Sequence, residues 1–207
     1  MTNIILTVKS EVRDTTGMGH SQEDKAESHD RIVRVAAARF REDGVDSIGV
    51  ADLMKEAGLT HGGFYRHFAS RDELVAEAIE RALHDGGRVV DALAHSKRAS
   101  VAALVDAYLS AAHRDDLATS CAVTTLAGDV ARSNDRARSA YTRQVSTYLE
   151  LLSKLIATDR PRSRRMKAIA ALSTLVGAVS MARAVNDEKL SREILKSAAD
   201  ELKAQLG

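Results

Sequence analysis

The sequence predicts an all-α fold, and three observations carry that expectation. Strong helix formers such as Ala, Leu, Arg and Glu dominate the composition, and Pro161 is the single proline. Aromatic residues are scarce, with no Trp, three Phe and four Tyr, which weighs against sheets. Apolar residues recur at three- and four-residue spacing along most of the chain.

The first strong helix starts at about Asp30. Ile32, Ala36 and Phe40, with Val35 and Ala37 beside them, make its apolar stripe, and Gly44 is placed to cap its end. A short helix from about Val50 to Ala57 stops at Gly58. A third spans about His61–Phe68. A fourth opens at "SRDE", where Ser70 and Glu73 form a capping box, and continues toward His84 or beyond. In the second half "ASVAALVDAYLSAAHR" reads as one helix and "AVTTLAGDVAR" as another. "DRARSAYTRQVSTYLELLSKLIA" carries the stripe Tyr141, Val145, Tyr148, Leu152, Leu155. Pro161 suits the first turn of the next helix, which is apolar around much of its circumference from Met166 to Val185. A last amphipathic helix follows from about Ser191.

With 207 residues there is room for one large or two small domains. The expected division is an N-terminal extension over 1–26, a small helical head over 27–87, and a helical body over 88–207. Residues 1–17 match nothing that follows in pattern, so either Met18 is the true start or a tail precedes the first helix. The formal charge of +1 points to no partner by bulk electrostatics. A single cysteine, Cys121, excludes an internal disulfide and fits a reducing cytoplasm. The run "IILTV" is too short for a signal peptide, and no apolar run approaches the roughly 18–20 residues of a membrane helix. The histidines show neither HxxxH nor HExxH spacing, so no metal is expected, and no cofactor is implied.

The stretch "GLTHGGFYRHFASRDEL" poses the main question, because it sets Gly62 and Gly63 inside a helical turn. Each glycine costs about 0.8–1 kcal/mol against Ala in a helix interior, and less near an end. With Thr60 as N-cap, Leu59 and Phe64 occupy the two positions of a hydrophobic staple. Phe64 and Phe68 then share the inward face. Gly62, Gly63 and Arg66 lie outward, flanked by Tyr65 and His67. A surface that must approach another backbone closely gains from a missing Cβ, and the first turn offers N–H donors suited to phosphate. Two short helices joined by a Gly-containing turn make a helix-turn-helix, whose second helix fits the major groove. A loosely wound helical hairpin is the alternative account. Between His29 and Arg81 eight Lys and Arg stand against ten Asp and Glu, so specific binding has to rest on a few well-placed contacts.

At these residues the sequence resembles the tetracycline-repressor (TetR/AcrR) family of transcriptional regulators. The likeness runs over about His29–His84, with "RIVRVAAARFREDG", "VADLMKEAGLTHGGFYRHF" and "SRDELVAEA" in family order. Beyond it, "SCAVTTLAGDVARSNDRARSAYTRQVSTYLELL" resembles one branch, in which the N-terminus often looks like "MGHSQEDKA". The resemblance implies a dimer on a palindromic operator and a C-terminal domain that binds a small molecule. It implies that Thr60 caps the recognition helix, that His61, Gly62, Gly63 and Arg66 read bases, and that Tyr65, His67 and Arg71 grip phosphates. Two departures stand out: Ala51 replaces a frequent DNA-contacting Arg, and Gly49 replaces the usual hydroxyl cap. Arg66 is therefore expected to carry more of the specificity, by base contact or, alternatively, by phosphate contact alone.

In the body, the helix over Met166–Val185 and the last helix are expected to form the homodimer interface, with burial inside one chain as the alternative. Tyr108, Cys121, Thr124, Thr125, Tyr141 and Tyr148 are candidate ligand contacts, since they set polar tips on largely apolar faces, although plain core is the commoner role for each. Cys121 invites a role as a redox or electrophile sensor, and a small buried cysteine is the plainer account. His113, Arg114, Asp115 and Asp116 read as a solvated helix end. Taken together, the expectation is a cytoplasmic, ligand-responsive regulator, by family habit a repressor, that binds double-stranded DNA. No nucleophile elbow, phosphate loop or paired carboxylate supports an enzyme, and an adaptor holding another protein is the remaining alternative.

Overall fold

The computed structural model describes residues 16–94, 100–157 and 160–206. The expectations for residues 1–15, and with them the question of a start at Met18, lie outside the described residues. No strand occurs among the described residues.

Helix α1 (Thr16–Asp43) begins well before the expected Asp30. Its residues Gln22–Glu27 are exposed, so no apolar stripe marks them, and good helix formers such as Glu, Lys and Ala carry the turns. Inward-facing Ile32, Ala36 and Phe40 follow. Gly44 ends the helix at φ 87°, donating its N–H to Phe40 O at 3.0 Å. Helix α2 (Val50–Glu56) ends in a Schellman motif at Gly58, φ 72°. There Leu59 N–H donates to Met54 O (2.8 Å) and Gly58 N–H to Lys55 O (3.0 Å). A 3-10 helix (His61–Arg66) stands where an α-helix was expected. In front of α3 (Arg71–Ala94) the capping box is shifted by one residue. Ser70 Oγ accepts from Glu73 N–H (3.2 Å), but the Glu73 carboxylate reaches past Ser70 to Ala69 N–H (2.6 Å).

Two segments read as single helices are broken. "ASVAALVDAYLSAAHR" divides into α4 (Val101–Tyr108) and α5 (Ala111–Asp115), because Ser110 Oγ accepts from His113 N–H (3.1 Å) and caps a new start. "AVTTLAGDVAR" divides into α6 (Ala122–Thr125) and α7 (Ala127–Ala131) at fully buried Leu126. Helix α8 (Asp135–Leu155) is capped by Asn134, whose Oδ1 accepts from Ala137 N–H at 3.0 Å. Pro161 opens α9 (Pro161–Ala184) as expected. Helix α10 (Glu188–Leu206) starts slightly before Ser191, because Asp187 Oδ1 accepts from the N–H groups of Lys189 and Leu190.

Helix α1 packs on α3, α3 on α8, α8 on α9, and α9 on α10, while α4 covers α10. One continuous cluster of buried side chains runs from Ile32 and Phe64 to Leu206. Helix α3 serves both ends of it. Its first turns send Leu74 and Ile79 into the core under α1, and farther along Gly86 meets the Ser120–Ala122 backbone. A Cβ on Gly86 would lie 3.3 Å from Ala122 N, tighter than ordinary van der Waals contact, so its absence eases the close crossing.

Helix α9 corrects one sequence expectation. By length and composition it is long and apolar enough to cross a membrane, which residue-by-residue reading missed because its hydropathy comes largely from Ala, Val and Leu between charged ends. Ala168, Ala171, Leu175, Ala178 and Val179 bury one face, while Met166, Ile169 and Met181 stand exposed on the other beside Ser173 and Ser180.

Candidate nucleic-acid interface

The Schellman turn at Gly58 reverses the chain and delivers Thr60 in extended conformation (φ −80°, ψ 146°) at the head of the 3-10 helix. The Thr60 side chain caps nothing; only its carbonyl is used, accepting from Gly63 N–H at 3.0 Å. The N–H groups of His61 and Gly62 precede that first bond. Phe64 and Phe68, 2 % and 1 % exposed, anchor the element from below, with rings stacked at 5.5 Å. This is the inward pair that the spacing predicts.

Opposite that pair, Thr60, His61, Gly62, Tyr65 and Arg66 are exposed, Tyr65 by 76 %. No described carboxylate lies within ion-pair distance of Arg66. Gly63 and His67 are half-buried beside it, and both line with Arg66 a cleft of about 330 Å³ against Lys25 and Ser28 of α1.

Neither glycine is required by the fold. Both have ordinary negative φ. A Cβ on Gly62 would meet nothing within 4 Å, and one on Gly63 would make ordinary contact with Met54 Cε at 3.6 Å.

Three expected contributors are placed differently from one another. His61 is exposed at the tip, at the first position of the 3-10 helix. His67 is partly desolvated: burial, then the neighbouring His29, Lys25 and Arg66, push its imidazole below the usual range. A neutral ring there is a weaker phosphate partner than the resemblance implies. Arg71 does not share the Arg66 face. Its Nη2 donates to Val45 O at 2.6 Å and Ile48 O at 3.5 Å, and Nη1 lies 3.5 Å from Asp46, so the guanidinium braces the α1–α2 turn. Gly49 caps α2 with its backbone alone, and Ala51 is exposed on that helix, as the two sequence departures imply.

The six body candidates converge on α6. Tyr108 OH lies 2.6 Å from Thr124 Oγ1, Tyr141 OH donates to Val123 O at 2.8 Å, and Cys121 Sγ sits 3.8 Å from Tyr148 OH. Thr125 Oγ1 reaches Cys121 O at 3.5 Å. Burial, then the Cys121 thiol, push the Tyr108 phenol upward. Cys121 is itself buried.

Sequence reading missed a seventh member. His113 is no solvated helix end: its Nδ1 meets Tyr108 O at 2.7 Å, its Nε2 accepts from Cys121 N–H at 3.3 Å, and its ring packs 4.4 Å from Tyr108. Burial holds this imidazole below its ordinary pKa. Arg183 closes the same corner, donating to the carbonyls of His113 and Arg114 at 2.8 Å each. A Ser-x-x-His spacing after Tyr108 was the only local hint.

Comparison with known proteins agrees with this architecture. The profile of the family described as bacterial regulatory proteins, tetR family, matches residues 32–78. An uncharacterised HTH-type transcriptional regulator of Bacillus subtilis is 30 % identical over 89 residues, 43 % of this chain and 42 % of that protein. An HTH-type regulator of Staphylococcus aureus is 35 % identical over 63 residues, 30 % of this chain and 34 % of that protein. The chain thus spans less than half the length of these curated relatives. Among solved structures, reduced Escherichia coli NemR superposes with TM-score 0.70 at 18 % identity, covering 86 % of this chain and 96 % of that one. A Chloroflexus aurantiacus TetR regulator superposes with TM-score 0.72 at 22 % identity, covering 87 % and 96 %. At such identities the likeness is one of fold. The two curated relatives and the Chloroflexus protein are named as transcriptional regulators.

Proposed function

We propose, from the premise that this chain is a member of the tetR family of bacterial regulatory proteins, that it binds double-stranded operator DNA through the exposed face of its 3-10 helix. The observation that carries the reading is Gly62. Its missing Cβ opens toward solvent and relieves no contact within the chain, so the saving in bulk serves a surface that approaches from outside. Arg66, free of described carboxylates, is the group for bidentate contact to a guanine, a pairing that discriminates by about 1–3 kcal/mol. Thr60, His61 and Gly63 border it, with Tyr65 and His67 at the flanks. Arg71 acts by holding the α1–α2 turn, and its reach to phosphate requires release from Val45 O.

In this reading the head ends near residue 87 within α3, and the body pairs two chains. The exposed apolar side chains Met166, Ile169 and Met181 of α9 and Leu190 of α10 lie on the two helices proposed to meet the second copy. The dimer would set two reading heads one DNA turn apart, about 34–36 Å, on a palindromic site. A small molecule engaging the α6 cluster of Tyr108, Cys121, Thr124, Thr125, Tyr141 and Tyr148 would then release a cytoplasmic repressor. A coupling of about 1–3 kcal/mol suffices for this.

The test is selection of bound duplexes from a random pool by the purified chain, followed by titration of the winner and a shuffled duplex with wild type and Arg66→Ala. A two-fold symmetric site, bound at least about a thousandfold more tightly than shuffled DNA and lost with Arg66, is the expected result. No enrichment over the pool would reject the reading.

A further inference from the structure

The first turn of α8 grips the second and third turns of α3 beneath the head. Arg136 makes a two-pronged pair with Glu80, Nη2 to Oε2 at 2.7 Å and Nε to Oε1 at 3.2 Å, and its Nη1 lies 3.8 Å from Glu77 Oε1. Asn134 adds a hydrogen bond from Nδ2 to Asp72 O at 3.3 Å.

The other Glu77 oxygen points the opposite way. Its Oε2 lies 2.7 Å from His29 Nε2, and the His29 ring stacks on Phe68 at 4.5 Å and 28°. Phe68 in turn stacks on Phe64, the anchor of the 3-10 helix. One carboxylate therefore joins a body arginine to the aromatic floor under the exposed face.

Glu77 and Glu80 are three residues apart on one helix, where like charges repel, and Arg136 is the cation between them. Arg143 reaches Glu80 at 3.9 Å but is not within ion-pair distance of Glu77. Without Arg136, Glu77 loses its tether to α8, and the His29 ring that this carboxylate holds is free to shift on Phe68. The 3-10 helix is sensitive to its floor, because it is six residues long and no side chain caps it. Tyr141 and Tyr148 of the α6 cluster stand on the same helix as Arg136.

We propose that Arg136 is a positioning residue for DNA binding: through Glu77 and His29 it sets the placement of the 3-10 helix relative to α8. The inference rests on the DNA-binding reading above. Melting temperature separates the two roles, because a merely structural pair, two-pronged as this one is, would move it.

The experiment measures Kd for the selected duplex and the melting temperature for wild type, Arg136→Met, Arg136→Lys and Asp106→Asn. The last weakens the exposed Lys203–Asp106 pair, 2.8 Å, from its α4 side, away from the head and from the proposed dimer helices. Arg136→Met is expected to weaken binding about tenfold, within the range of coupling changes seen along contact networks. Arg136→Lys should recover most of that, Asp106→Asn should leave Kd unchanged, and all four should melt together. The inference is overturned if Arg136→Met binds as wild type does, or if its loss of affinity follows a loss of melting temperature. Failure of wild type itself to prefer any duplex would instead overturn the DNA-binding reading, and the coupling with it.

Discussion

The 3-10 helix and the α6 segment both gather polar side chains around aromatic anchors, yet they use them in opposite ways. On the 3-10 helix the polar groups point away from Phe64 and Phe68, and Arg66 and Tyr65 stand in solvent. Around α6 they point at one another, with Tyr108, Thr124, Tyr141 and His113 each holding a partner at 2.6–2.8 Å. The first arrangement leaves hydrogen-bonding capacity for another molecule. The second is closed, and a ligand entering it must exchange with bonds already made. The proposed interface on the head therefore needs no rearrangement, while the proposed ligand site in the body exists only as an alternative to its present packing.

The contrast can be broken first at the anchor. Phe64→Ala is expected to cost about 3–5 kcal/mol of stability, as for other buried aromatics, read as a large fall in melting temperature and loss of DNA binding together. An equal melting temperature would mean that the floor of the exposed face carries no load.

Tyr108→Phe tests the closed cluster. It leaves the buried Thr124 hydroxyl without its partner, which should cost about 1–3 kcal/mol in thermal or urea unfolding. A neutral result would show that the α6 polar groups are already open to exchange.

Gly62→Ala sharpens the comparison by its sign. With open space at the Cβ position, the substitution should stabilise the fold by up to about 1 kcal/mol while weakening the selected duplex. Improved stability with unchanged DNA affinity would remove the argument that the glycine serves an outside surface.

The smallest effect is a pH dependence in the body. His113 is held neutral below its ordinary pKa by burial, and its Nε2 must stay unprotonated to accept from Cys121 N–H. The unfolded chain takes up a proton near the ordinary imidazole value of about 6.5 and the folded chain only at lower pH. The contribution is thus present above that value and is lost as pH falls toward the depressed pKa. Melting temperature should decline from about pH 7 to about pH 5, and less steeply in His113→Gln. Equal slopes would assign the decline to other groups, His67 first.

Much of this was legible in the residues. Glycine caps at Gly44 and Gly58, the inward pair Phe64 and Phe68, and Pro161 opening α9 all follow from rules that act within a turn or two. The early start of α1 was not legible, because solvated turns such as Gln22–Glu27 carry no apolar period. Nor were the breaks at Ser110 and Leu126, where a hydroxyl cap or one buried leucine interrupts an otherwise continuous pattern.

By itself the sequence determined the helical class, the head's inward and outward faces, and the glycines that set its turns, since periodicity and capping are short-range physics. Only the tertiary structure decided what the charged and polar groups do. Arg66 and Arg71 stand close together in sequence, but one faces solvent and the other braces carbonyls at Val45 and Ile48. His113 is drawn inside by Tyr108 and Cys121, and Arg136 finds Glu80 across 56 residues of chain. A donor takes whichever acceptor the folded chain brings within about 3 Å, and which acceptor that is depends on segments far away in sequence.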